Sequence, residues 1–213
     1  MKHLLIVGAR GWGREILAAA IHTKAYVSGE FDIKGFLDSK TDAFEGLKGT
    51  YPPIISSPED YVVQADDVFF IAMGDPKWRK HYADIIEKKG GHFISIIGKN
   101  SYVNPTATIG EGSYISTQAV ISDNVVIGKH VAVHIFCDIG HNAKIGDFST
   151  IESYCFIGGG AEIGSHSTMH VRSTLIRQKK IGNNVDVGSH SLVTRNIKDG
   201  LHVFGVPATK LSF

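Results

Sequence analysis

A chain of 213 residues, 43% apolar and 20% charged, has enough apolar side chain for one large or two modest cores and is neither a disordered tail nor a charged fibre. Its 22 basic and 21 acidic side chains leave a formal charge of +1, too weak a field to hold a phosphate backbone or an anionic bilayer, so neither nucleic acid nor membrane is an expected partner. The opening apolar run Leu4-Leu5-Ile6-Val7 is far shorter than a signal-peptide core or a membrane span, and the two cysteines are expected to be reduced thiols in a cytoplasmic protein.

In chain order, residues 4–7 form a short strand that runs into Gly8-Ala9-Arg10-Gly11-Trp12-Gly13, and a helix follows with Ile16, Leu17, Ala20 and Ile21 on one side. Strand, glycine turn and helix make a phosphate cradle, because glycines let the backbone approach and the helix N-terminus offers free N–H groups. Arg10 stands where the dinucleotide fingerprint has its second glycine, which argues against an ordinary NAD site. Strands are expected at Ile33–Leu37, ending on Asp38-Ser39, and at Val68–Met73, ending on Gly74-Asp75. A helix over residues 76–89 and a strand over 93–97 complete a small Rossmann-like parallel sheet. Its carboxyl edge gathers Arg10, Gly11, Trp12, Asp38, Ser39 and Gly74, either as a ligand site or as turn glycines beside a solvent-facing aspartate.

From Val103 a step of six residues lands on Ile109, Ile115, Ile121, Ile127, Val133, Ile139 and so on to Val187 and Val193, and every position is aliphatic. Four residues after each anchor stands a small or β-branched side chain, with Lys179 the exception, and the residue after the anchor is often glycine, expected to relax a tight bend. This resembles the hexapeptide repeat of left-handed parallel β-helices, in which three hexads make one coil; the handedness is implied by the resemblance, since crossovers are generally right-handed. About five coils then follow the α/β half, with domains at 1–98 and 99–213. Residues 18 apart become stacked neighbours about 4.8 Å from one another. Cys137 and Cys155 are so related, and are expected as interior packing thiols.

The whole order resembles the bacterial sugar acetyltransferases that include UDP-4-amino-sugar N-acetyltransferases and sialic-acid O-acetyltransferases. The likeness is carried by Gly8–Gly13, Phe36-Leu37-Asp38, Ile71-Ala72-Met73-Gly74 with Arg79 and Lys80, the segment 138–146 around His141, and Gly205-Val206-Pro207-Ala208. It implies acetyl-CoA as co-substrate, a sugar or nucleotide-sugar acceptor, a homotrimer and no metal. It also implies that His141 is the general base, that the Gly159 amide meets the thioester carbonyl, and that Thr150, Val171, Ser189 and Lys210 belong to the acetyl-CoA groove.

The chain departs from that family at Asn142, where a glutamate often follows the histidine, and at Trp12, where the first turn commonly has histidine. Asp123, 18 residues before His141, is expected beneath it, either as the carboxylate that orients the imidazole or as a turn residue of its own corner. A zinc γ-class carbonic anhydrase is the metal alternative, but His134 and His170 lie two coils apart, about 9.6 Å, and cannot share an ion within one subunit. His130, His166 and His190, taken as one turn column, are expected on a solvated face or a subunit contact. A non-catalytic nucleotide-sugar-binding scaffold is the other alternative.

Overall fold

The run Leu4–Val7 has no polar side to leave in water, and it becomes the middle of a sheet covered on both faces, every one of its side chains fully buried. The computed structural model describes residues 1–211 and divides into two compact units, Met1–Ile96 and a second beginning at Ile97. The first contains β1 (Lys2–Val7), α1 (Gly11–Ala20), α2 (Lys24–Val27), β2 (Phe31–Leu37), β3 (Ile54–Ser56), β4 (Asp67–Ile71), α3 (Pro76–Lys88) and β5 (His92–Phe93). All five strands are parallel in the order β3-β2-β1-β4-β5. Gly8, at φ +104°, turns the chain from β1 into α1, and Gly13 lets the helix settle on that turn: a Cβ at Gly13 would fall on the Gly8 carbonyl oxygen. Pro76 opens α3, with the Asp75 side chain accepting from the Lys77 N–H at 2.7 Å.

Two elements differ from the sequence expectation. Strand β3 follows Pro52-Pro53 and has only three residues, too short for a period-2 pattern to register. The strand expected over 93–97 is two: His92–Phe93 closes the α/β sheet, whereas Ile96–Ile97 begins the eight-stranded sheet of the second unit. One apolar run thus feeds two sheets.

The second unit is a left-handed parallel β-helix. Its two-residue strands stack into three sheets of six, five and eight strands, the last closed by an antiparallel hairpin of His202–Gly205 with Ala208–Lys210. Ladder pairs stand 18 residues apart, as in Ile121↔Ile139 and Ile139↔Ile157. The aliphatic anchors from Ile115 to Val193 and the small column from Ser113 to Ser191, Lys179 apart, fill the interior. Cys137 and Cys155 are buried free thiols within it.

The glycines after the anchors have a different cause from the one expected. None has a positive φ; a Cβ on Gly110 would come 2.5 Å from the Gly128 backbone, and one on Gly146 would come 2.6 Å from the Ser165 nitrogen. They are required because consecutive coils touch there. The left-handed residue sits two positions later, at Gln118, Asn124, His130, Phe136, Asn142 and onward by sixes. Each such non-glycine residue costs of order 1–3 kcal/mol, offset where the coil on either side fixes the corner.

Stacking of those corners also corrects the histidine expectation. His130, Phe148 and His166 form one stack, with centroids 4.9 and 5.2 Å apart, and His130 is only 1% exposed. His190 belongs to another corner, in line with Phe136, Tyr154 and Arg172.

Candidate functional site

At the carboxyl ends of β1, β2 and β4 lies a cleft of about 350 Å³ lined by Gly8, Arg10, Asp38, Ser39, Ala72, Met73, Trp78 and Tyr82. Asp38 is 6% exposed, and both its oxygens are engaged: Oδ2 accepts from the Ala9 N–H at 2.8 Å and Oδ1 from the Lys40 N–H at 2.9 Å. It therefore fixes the first turn and the loop after β2, and the solvent-facing alternative is ruled out. Gly11, Trp12 and Gly74 do not line the cleft. Trp12 instead meets Phe70 edge-on, with the Arg79 guanidinium 5.8 Å from its ring.

Arg79 is buried beneath the cleft floor and donates to the carbonyls of Met73 (2.8 Å) and Gly74 (3.3 Å); burial lowers its pKa to about 10 against the opposing charge of Asp75. Sequence reasoning missed Met73, Trp78 and Tyr82. Trp78 and Tyr82 are four apart on α3 and share one face, stacked at 6.1 Å, and two large aromatics at that spacing, apart from the buried Ala83 and Ile86, were the available signal. Burial, then the charges of Glu59 and Asp38, push the Tyr82 phenol up, with Arg10 opposing.

In the β-helix, the corner after Asp138–Ile139 presents His141 in the open. The corner repeats because Asn142 is left-handed (φ 60°) and its N–H reaches the Asp123 carbonyl at 2.9 Å, while the His141 carbonyl accepts from the Gly160 N–H at 2.8 Å. The His141 Nδ1 lies 2.9 Å from the Asn142 side-chain oxygen. With Nδ1–H donating there, Nε2 keeps its lone pair, and it is the atom nearest Gly159: a Cβ on Gly159 would come 2.6 Å from it. Among the described residues the Gly159 N–H has no hydrogen-bond partner. An acceptor nitrogen and a free amide donor thus face one spot.

Asp123 makes no hydrogen bond to His141. Its carboxylate accepts from the Thr106 hydroxyl at 2.7 Å, and that hydroxyl in turn accepts from the Asn124 N–H at 2.8 Å, so the side chain is tied into the coil before it. The orienting carboxylate expected from the 18-residue register is replaced by Asn142, and Asp123 is a corner residue.

Val171 and Ser189 follow the strands Thr168–Met169 and Asp186–Val187 at a different corner, Thr150 is buried on the eight-stranded sheet, and Lys210 ends the final hairpin. One chain does not bring these four to His141. Glu152 accepts from the Val171 N–H (3.0 Å) and pairs with His170 (3.2 Å), which holds Glu152 below its ordinary range and His170 above its own, the hydrogen bond leading in each case. Among the described residues no group of three or more His, Cys, Asp or Glu is placed to hold a metal ion, and no helix is long and apolar enough to cross a membrane.

Comparison with known proteins matches residues 3–86 to the family described as PglD N-terminal domain, and residues 124–159 to bacterial transferase hexapeptide (six repeats). The chain is 32% identical over 120 residues to UDP-N-acetylbacillosamine N-acetyltransferase of Bacillus subtilis (strain 168), a match covering 54% of this chain and 51% of that protein, so about half of the relative is spanned. The acetyltransferase domain of PglB from Neisseria gonorrhoeae FA1090 superposes with a TM-score of 0.89 at 25% identity, covering 99% of this chain and 100% of that one. A mutant of perosamine N-acetyltransferase from Caulobacter crescentus, in complex with CoA and GDP-perosamine, superposes at 0.71 with 20% identity, covering 100% and 98%.

Proposed function

We propose that the chain is one of the hexapeptide-repeat sugar acetyltransferases and that it transfers an acetyl group from acetyl-CoA to an amino group of a nucleotide-linked sugar. The observation that carries this is the His141–Gly159 pair, a base atom and an unspent N–H one coil apart. As the sugar amine attacks the thioester carbonyl, His141 Nε2 takes its proton, and the Gly159 N–H donates to the carbonyl oxygen as negative charge develops there. Collapse of the tetrahedral intermediate breaks the C–S bond, and the proton passes from the imidazolium to the departing thiolate. The Asn142 oxygen fixes the tautomer in which Nε2 is unprotonated. Names of relatives that are N-acetyltransferases, with CoA and a nucleotide sugar bound in one of them, support the amine acceptor and the acyl donor.

The cleft of the first unit is assigned to the nucleotide end of the acceptor: Arg10 faces its phosphates, and Trp78 and Tyr82 offer an aromatic wall. The separation of Val171 and Ser189 from the His141 corner supports a homotrimer, in which a neighbouring prism supplies the second wall of each site. The test is release of free thiol from acetyl-CoA with a panel of nucleotide-linked amino sugars, comparing wild type with His141→Ala. A loss in kcat of about 10²–10⁴ with unchanged acetyl-CoA affinity is expected; full activity in the variant removes His141 as the base, and absence of thiol release with every amino sugar favours a binding scaffold.

A further inference from the structure

The imidazole of His141 has one hydrogen-bonding neighbour. Its Nδ1 lies 2.9 Å from the Asn142 oxygen, and among the described residues the ring makes no other hydrogen bond and no ion pair. No carboxylate bonds to it from any side of the corner. Asp123, one coil below, is tied to Thr106, and Gly159 stands one coil above. Asp138 on the strand before the corner and Lys144 on the strand after it are exposed and make no bond to the ring. Elsewhere the chain does pair imidazoles with carboxylates: the Nδ1 atoms of His3, His170 and His202 lie 2.7, 3.2 and 3.0 Å from Asp32, Glu152 and Asp186. His170 shows what such a partner does, for its hydrogen bond to Glu152 raises the imidazole above its ordinary range.

Left-handed corners take asparagine readily, and Asn100, Asn124 and Asn184 hold others. Asn142 is the one of these four whose side chain bonds a histidine. Aspartate tolerates the same backbone conformation, so the corner itself does not exclude a charge at this place.

What a neutral partner permits depends on the nucleophile. A neutral amine attacks the thioester carbonyl with its own lone pair; the N–C bond forms first, and the proton then leaves an ammonium centre that has become acidic. A hydroxyl attacks only as its proton moves, so the O–C bond forms while that proton passes to Nε2 and positive charge builds on the ring. A carboxylate at Nδ1 stabilises that charge, and an amide oxygen does so far less. We propose that Asn142 sets the acceptor class of this site, amine rather than hydroxyl, by leaving the His141 imidazolium without a counter-charge. The assignment rests on the reading of His141 as general base and adds the residue that decides which nucleophile that base serves. Asn142 acts through the ring, as a positioning residue.

The experiment takes the nucleotide-linked amino sugar that wild type acetylates fastest and its counterpart with a hydroxyl in place of the amine. Thiol release from acetyl-CoA is followed across the pH range for wild type, Asn142→Asp and Asn142→Ala, with thermal unfolding as the control for folding. Wild type is expected to acetylate the hydroxyl sugar at least about 10³-fold more slowly. Asn142→Asp keeps the Nδ1 acceptor and the left-handed corner while adding an anion. It is expected to raise the hydroxyl-to-amine rate ratio about 10-fold and to move the acid limb of the amine profile up by about one pH unit, because the anion favours imidazolium. Asn142→Ala is expected to lower both rates without raising the ratio. An unchanged ratio in the folded aspartate variant overturns the proposal, as does an equal rise with alanine or wild-type transfer to both acceptors at comparable rates. Thiol release with neither acceptor would instead refute the acyl-transfer reading on which the proposal stands.

Discussion

Gly159→Ala and Gly110→Ala are the same chemical change at adjacent places in the repeat, two residues after the anchor Ile157 and one residue after the anchor Ile109, and the structure assigns them opposite consequences. Neither glycine has a positive φ, so alanine meets no backbone strain. At Gly159 the new Cβ would stand 2.6, 2.9 and 3.0 Å from three atoms of the His141 imidazole, the far end of a movable, exposed side chain. Restoring an ordinary contact of about 3.4 Å moves Nε2 by roughly 0.8 Å and strains its 2.9 Å Nδ1 bond to Asn142. Misplacing a reacting group by about 1 Å costs roughly 10² in rate, so kcat should fall about 10²-fold while the Gly159 N–H is retained.

At Gly110 the same Cβ meets the Gly128 carbonyl carbon and oxygen at 2.5 Å and the Lys129 nitrogen at 2.7 Å. Backbone cannot swing aside, and overpacking of this kind costs about 1–3 kcal/mol. For a chain of this length that is roughly 3–10 °C in Tm. The assay is paired: thermal unfolding and acetyl-transfer kinetics on both variants. Gly159→Ala with wild-type kcat, or with the larger loss of Tm, would refute the argument that the imidazole rests on that glycine.

Asp123→Asn should leave kcat and its pH profile unchanged, because its carboxylate bonds to Thr106; a large fall in kcat would return Asp123 to the site. Asn142→Ala should lower kcat with little change in donor KM, since it removes the partner of His141 Nδ1, and equal loss with Asn142→Asp would show that geometry rather than an acceptor oxygen is at stake. Asp67 accepts from Lys34 (2.6 Å), Tyr61 (2.7 Å) and the Gln64 N–H (2.8 Å) with its own side chain fully buried; Asp67→Asn should cost about 1–3 kcal/mol in denaturant unfolding, discounted because Lys34 is partly in water. For the Glu152–His170 pair, His170 is raised above 6.5 and Glu152 lowered below 4.5, so the mutual stabilisation is complete between those values. It is lost as pH rises through the raised histidine value or falls through the depressed glutamate value. Glu152→Gln should lower the His170 pKa in an NMR titration; no movement would show that the pair does not form in solution.

The six-residue register was visible in the sequence because one physical demand repeats without exception: an interior three strands wide accepts one aliphatic side chain per strand, so Ile115 through Val193 report the coil directly. Strand β1 was visible for a related reason, since burial on both faces leaves an unbroken apolar run. Corners are different. Position in the 18-residue column says which residues stack but not which way a side chain turns, and Asp123 had two hydroxyl- or imidazole-bearing neighbours, Thr106 in the coil below, 17 residues back and so one place off the column, and His141 above it, 18 residues on. The choice went to Thr106, whose hydroxyl also satisfies the Asn124 N–H at a left-handed corner, a local bond that no column count contains. His141 was then oriented by its chain neighbour rather than by its stacked one. The same ambiguity hid one wall of the cleft: Asp38 was legible as a strand-end carboxylate, but only the path of the chain shows that it holds Ala9 and Lys40, and that the lining passes to Trp78 and Tyr82 on a helix remote in sequence. A repeat therefore makes distances between candidate residues readable in advance while leaving their hydrogen-bond partners undetermined, and it is the partners that separate the proposed base from the corner residue beneath it.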